Sequence, residues 1–253
     1  VSADRLERRT ADGVLHLTLN RPEKRNAIDR LMVDALLDAL TDADLSAEVR
    51  VVALRGAGSD FSAGADLAEL LESARLPAEQ NAASAARLGR VFLAMRKIPK
   101  PVVAVVHGRA VAGGLGLATA CDLVLAREDA SFGYPEVQRG FVPAMVIAML
   151  RRAVGEKVAF DLVATSRMLS AREAQAVGLV SRVLPVDRFE TEVARFLAEL
   201  AALSPTALAL TKQQLYAADG LAFEAAIELG AQVNAVARST PDFQSAVERF
   251  LKR

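Results

Sequence analysis

Glu136 is the residue of this chain best placed to move protons. It closes the run Phe132-Gly-Tyr-Pro-Glu136, between aromatic and apolar neighbours. A carboxyl so surrounded keeps its proton to higher pH than a solvated one. Upstream, Gly108, Gly113, Gly114 and Gly116 crowd a turn that follows an apolar run. Glycines let the first bare N–H groups of a helix press against a ligand. A second small-residue turn, Ser59-Asp-Phe-Ser-Ala-Gly-Ala-Asp66, follows another apolar strand. One N–H donor from each turn, aimed at a shared oxygen, makes an oxyanion hole for a thioester carbonyl or its enolate; losing one such donor typically costs about 3–4 kcal/mol. The pattern reads as a site that holds a negatively charged oxygen and transfers protons beside it.

Other readings of the glycine turn fare worse. A P-loop needs a lysine and a hydroxyl after its last glycine, whereas Gly113 is followed by Gly114 and Leu115. A dinucleotide fingerprint fails because Gly114-Leu-Gly116-Leu-Ala118 ends in Thr119, far from the first strand. No nucleophile elbow of the G-x-S-x-G type occurs. A turn built only for close helix–strand packing stays open on the glycines alone.

The elements that must carry these residues alternate. Residues 14–19 alternate as a strand, 28–40 repeat apolar residues at helical spacing behind Asp29 as N-cap, and 51–54 form a buried strand. Helices are expected over 66–74 and 77–98, strands over 101–106 and 123–126, with a small-residue helix between them. Strand–helix alternation predicts an α/β layer structure. After Pro185 the strand signal ends, and 188–203, 205–217, 221–237 and 241–251 read as helices, two opened by proline. We expect a core over 1–195 carrying the site and a helical region over 196–253, with more apolar surface than it can bury alone.

Composition sets broad limits. With 253 residues the chain can build one large core. Lys and Arg total 31 and Asp and Glu total 31, so no global basic field draws in nucleic acid or an acidic membrane. Short basic groups such as Arg8-Arg9, Lys97 with Lys100 and Arg151-Arg152 read mainly as solvated surface. One cysteine, Cys121, rules out an internal disulfide and a thiolate cluster, and it reads as a small buried hydrophobe. The two histidines, His16 and His107, lack ligand spacing, so a metal site is not expected. Neither an apolar leader segment nor a run of about 18 apolar residues occurs. The expectation is a soluble, cytoplasmic chain, with a removed transit peptide left open.

Five segments in order resemble the enoyl-CoA hydratase/isomerase (crotonase) superfamily: Asn20-Arg-Pro-Glu-Lys-Arg-Asn26-Ala27, Phe61-Ser-Ala-Gly-Ala65-Asp66, Ala112-Gly113-Gly114 with Cys121-Asp122, Phe132-Gly-Tyr-Pro-Glu136, and Ala171-Arg-Glu-Ala-Gln-Ala-Val-Gly178-Leu-Val180. Each is weak by itself. Together they cover about residues 10 to 250 and specify the superfamily, though not one reaction.

The resemblance implies a spiral of ββα units with a C-terminal helical trimerisation region, and an acyl-CoA thioester as substrate. By position, Ala65 and Gly113 supply the two N–H donors, with Glu136 catalytic. Lys24, Arg25, Asn26, Ala27, Ala63, Gly64, Asp66, Leu67 and Ala68 are expected along the CoA path, and Gly114, Gly116, Pro135 and Phe141 around the acyl group. No metal or separate cofactor is implied, coenzyme A being part of the substrate. Assembly is expected as a homotrimer or a dimer of trimers.

Two departures stand out. Ala68 replaces a frequent lysine, which removes a charge contact to CoA. Gly116 stands where two-glutamate hydratases carry their first glutamate, so only Glu136 remains. Hydration of trans-2-enoyl-CoA to 3-hydroxyacyl-CoA by one carboxylate is the favoured reading, because the Gly116 turn and Pro143-Ala-Met-Val146 resemble those of family members called hydratases. Syn addition requires only that Glu136 reach both C2 and C3. Alternatives are Δ3–Δ2-enoyl-CoA isomerisation and an inactive acyl-CoA-binding protein. Asp122 is expected to cap or pair beneath the turn rather than react.

Overall fold

The computed structural model describes residues 5–252. The chain opens with β1 (Leu6–Ala11), β2 (Val14–Leu19), α1 (Arg30–Leu45) and β3 (Val51–Gly56). It continues through α2 (Leu67–Ser73), α3 (Ala78–Lys97), β4 (Val102–Val106), β5 (Arg109–Val111) and α4 (Gly113–Ala120). Next come β6 (Leu123–Arg127), β7 (Ser131–Gly133), a 3-10 turn over Glu136–Arg139, α5 (Val146–Val154) and α6 (Glu156–Thr165). The last part holds β8 (Leu169–Ser170), α7 (Ala171–Ala176), β9 (Arg182–Leu184), α8 (Phe189–Ala201), α9 (Pro205–Ala217), α10 (Phe223–Arg238) and α11 (Pro241–Leu251).

The large sheet runs β1-β2-β3-β4-β6-β9, antiparallel at the first pair and parallel thereafter. Its central strands are apolar at successive positions because both faces are covered. Leu17, Val52, Leu54, Ala104 and Val124 face one core. Val51, Ala53, Val103, Val105 and Leu125 face a second, closed by Phe189, Val193 and Leu197 of α8. Position 195 lies within α8, a helix seated on the sheet, while the chain is helical from the end of β9 onward.

A small sheet, β5-β7-β8, sits apart. Its strands are two or three residues long, too short for alternation to show in the sequence. β1 also escapes pattern reading, since Glu7, Arg8, Arg9 and Thr10 are exposed behind Leu6. It forms because β2 offers an edge and Asp12-Gly13 permits the tight reversal, both residues having positive φ. α1 begins as expected from its cap, with Asp29 Oδ1 accepting from Met32 N at 2.8 Å.

A buried polar cluster pins α9 to the core. Lys212, 7% exposed, donates to Met95 O, Lys100 O and Asp122 Oδ2 at 2.7, 2.9 and 2.7 Å. Tyr216 Oη donates to Asp122 Oδ1 at 2.7 Å, and Val102 N donates to Asp122 Oδ2. Asp122 is thus structural, beneath the end of α4. Burial lowers the Lys212 pKa, although Asp122 pulls it back. Lys212→Met leaves the Asp122 carboxylate without its cation and is expected to cost about 3–5 kcal/mol. Urea unfolding reads this directly, and a loss under 1 kcal/mol would show that the pair does not hold α9 down. Cys121 is buried and its thiol is pushed well above the usual range, by burial first and then by Asp122. It is not a nucleophile.

Candidate active site

Local hydrogen bonding leaves two amides unused. Residues 28 and 65 form a parallel bridge in which Ile28 N donates to Gly64 O and Asp66 N to Ile28 O. The bridge takes the groups on either side of Ala65 and leaves the Ala65 N–H without a backbone acceptor among the described residues. Gly113 is the first residue of α4, whose N-cap, Ala112, offers no side-chain acceptor. Its N–H is therefore among the amides a helix start cannot satisfy internally.

The two amides are close. A methyl at Gly113 would stand 3.5 Å from the Ala65 nitrogen. A methyl at Gly64 would stand 2.9 Å from the Gly113 nitrogen and 2.8 Å from the Ala112 Cβ. Gly64 also has φ +87, so glycine is required twice over. At Gly114 a side chain would strike Ser62, which lets α4 seat directly on the first turn. Ala112 carries φ 51 and ψ −130, a conformation that costs a non-glycine residue about 1–3 kcal/mol. The strained residue is thus the one that aims Gly113.

Several bonds lock the two turns together. Ser62 N donates to Arg109 O and Val111 N to Ser62 O. Ser62 Oγ donates to Asn26 O at 2.8 Å and accepts from Gly64 N at 3.2 Å. Arg109 grips Asp60 through Nε at 2.8 Å and Nη2 at 3.1 Å. That guanidinium is the main cause holding the Asp60 carboxyl at about 2.

Glu136 opens the 3-10 turn after β7 and is 8% exposed. Its Oε2 is enclosed, with no hydrogen-bond partner among the described residues. Burial raises its pKa, against smaller opposing pulls from its own backbone N–H and from Arg139. A carboxyl with raised pKa and a free oxygen can both take and return a proton.

The residues expected along the CoA path divide into two groups. Lys24 and Arg25 are exposed and make no side-chain hydrogen bond or ion pair among the described residues, and their turn abuts the other, with Ala63 N donating to Arg25 O at 2.8 Å. Leu67 and Ala68 are exposed at the start of α2. Asn26, in contrast, is fully buried. Its Nδ2 serves Ala57 O, Asp60 O and Phe61 O, and its Oδ1 accepts from Arg21 N. Asp66 accepts from Arg21 Nη1 at 2.6 Å and caps α2 through Ala68 N at 2.9 Å. Burial would raise the Asp66 carboxyl, but Arg21 and the Ala68 N–H hold it below the usual range. Both side chains shape the loop, and Ala27 is buried behind them. Arg21, which also reaches Asp29 and Ala27 O, is the organising residue that pattern reading passed over.

Around the carboxyl, Pro135 is half-buried and Phe141 is 51% exposed, with Phe141 N donating to Glu136 O at 3.0 Å. The place of the missing first glutamate is not vacant. A Cβ on Gly116 would lie 2.7 Å from Val146 Cγ2 and 3.3 Å from Phe92 Cζ. The side chains of α5 and α3 fill that space, so Gly116 is a packing position. Gly116→Glu is expected to leave hydration unimproved and to cost about 1–3 kcal/mol from overpacking alone. A faster enzyme of unchanged urea midpoint would overturn this.

Comparison with known proteins shows the family of the chain. The sequence pattern of the family described as enoyl-CoA hydratase/isomerase matches residues 9–253. A Thermus thermophilus protein named "Putative enoyl-CoA hydratase" is 46% identical over 235 residues, 93% of each chain. The Pongo abelii mitochondrial Delta(3,5)-Delta(2,4)-dienoyl-CoA isomerase is 34% identical over 213 residues, 80% of this chain and 65% of that one. A crystal structure of enoyl-CoA hydratase from Mycobacterium smegmatis superposes with TM-score 0.93 at 33% identity, over 98% of this chain and 96% of the other. With the bridge that frees Ala65, the helix start at Gly113 and the enclosed Glu136, these likenesses make this chain a member of the enoyl-CoA hydratase/isomerase family, with the crotonase fold.

Proposed function

We propose that this protein is a 2-enoyl-CoA hydratase that works with a single carboxylate. The observation that carries this reading is Glu136, enclosed and with a free oxygen, in the same structure as two unused amides. The thioester oxygen accepts from the Ala65 and Gly113 N–H groups as negative charge develops on it. The Glu136 carboxylate takes a proton from water while the water oxygen bonds to C3. The same carboxyl then gives that proton to C2 on the same face, so one O–H bond and the C2=C3 π bond break and one C–O and one C–H bond form. This chemistry requires only charge stabilisation and proton transfer, and no metal or redox cofactor enters it. We assign Lys24 and Arg25 to the CoA phosphates, a reading supported by their exposure. Assembly as a trimer, or a pair of trimers, through α10 and α11 is supported by Phe223, Ile227, Phe250 and Leu251 lying exposed.

A second reading is favoured by Val146 and Phe92 at Gly116, which leave an apolar wall where a second water-holding carboxylate would stand. There Glu136 shuttles a proton between C2 and C4 of an enoyl thioester. Turnover in heavy-oxygen water separates the two. Hydration places the label at C3 of the product of crotonyl-CoA, whereas isomerisation converts 3-enoyl-CoA to 2-enoyl-CoA without label. Tight binding with no turnover on a panel of enoyl thioesters would overturn both.

A further inference from the structure

We propose that Tyr134 is a positioning residue, whose buried hydroxyl ties the turn carrying Glu136 to the helix that presents Gly113. The inference rests on the role given to Glu136 above. Tyr134 is 1% exposed, and its Oη lies 3.2 Å from Thr119 Oγ1. Thr119 Oγ1 in turn lies 2.8 Å from Leu115 O. A carbonyl only accepts, so the single threonine hydrogen goes to Leu115, and the phenol donates to Thr119. The phenol hydrogen is thereby committed to α4 and withheld from Glu136, whose Oε2 stays without a partner.

Geometry gives this link a task. The last backbone bond from β7 toward α4 runs from Ala112 N to Gly133 O at 2.9 Å. Beyond Gly133, Pro135 has no N–H, and among the described residues no backbone hydrogen bond ties residues 134–136 to α4. The Tyr134 side chain takes over from there, two residues before the carboxyl. Packing does not call for it, because phenylalanine and valine would fill the same space without two polar groups to satisfy. Burial raises the Tyr134 pKa, against an opposing pull from the Thr119 hydrogen bond and with a smaller push from Glu136. Arg139 is the charged group acting on Glu136.

Tyr134→Phe and Thr119→Val remove the bond from its two ends and keep the shapes. Two readouts decide the matter: steady-state kinetics on crotonyl-CoA, and a carbon-13 NMR titration of the Glu136 carboxyl, assigned by its loss in Glu136→Gln. Each variant is expected to lower kcat about ten- to a hundredfold with KM nearly unchanged, and to bring the Glu136 midpoint down toward that of a solvated glutamate. Thr119→Ser, which restores the hydroxyl, is expected to bring both back. A native Glu136 midpoint in both variants overturns the proposal. So does a rate loss that only follows lower melting temperature and that serine does not rescue. The titration uses no substrate, so a native protein inert toward enoyl thioesters would sink the hydration reading while leaving this test decisive.

Discussion

Glu136→Gln is expected to lower kcat for crotonyl-CoA hydration by about 10²–10⁴-fold, the usual worth of a positioned acid–base group. The amide keeps the shape of the side chain and cannot carry the proton. Loss of enone absorbance measures the rate, and equal rates for native and variant would remove Glu136 from the mechanism. The pH profile gives a second check. Attack by water needs the carboxylate, and burial raises the Glu136 pKa. The acid limb of kcat/KM should therefore fall above the ordinary glutamate value and vanish in the variant. Stability follows the same proton. The folded protein holds it more tightly than the unfolded chain, so the contribution is full below the unfolded pKa and is lost as pH rises through the folded one. The glutamine variant should lack that loss.

Gly64→Ala should be almost as damaging, by blocking the oxyanion pair. The new methyl would press on the Gly113 nitrogen at 2.9 Å and on Val111 O at 3.0 Å. Loss of one donor costs about 10²–10³ in kcat. Backbone strain at φ +87 adds a stability cost, so a control is needed. Gly155 has φ +77 with nothing within 4 Å of an added Cβ. Gly155→Ala should lose stability while kcat stays native. If Gly64→Ala keeps kcat within twofold, the Gly113 amide is not a donor to substrate.

The two turns, the cap at Asp29 and the enclosed Glu136 were legible in the chain because each is written locally. Glycine density, a capping residue at a helix start and a carboxylate among apolar neighbours all act within a few residues. The central strands β3, β4 and β6 were legible as well, since strands covered on both faces are continuous runs of apolar residues, whereas the parallel β9 (Arg182–Leu184), partly exposed, was not. The short strands of the second sheet were not, because two or three residues cannot show a period.

The absence of a carboxylate at Gly116 is a fact of composition. Its meaning came from α3 and α5, which put Phe92 and Val146 into the space. Asn26 and Asp66 have the chemistry of ligand contacts, yet the fold spends them on Ala57, Phe61 and Arg21. Tyr134 and Thr119 meet across fifteen positions of chain, and nothing near either residue announces the partner. Periodicity, capping and turn chemistry follow from neighbours in the chain and fix which segments become strand, helix or turn. Which polar atoms stay free for a substrate depends on groups brought together from distant positions, and packing alone decides that.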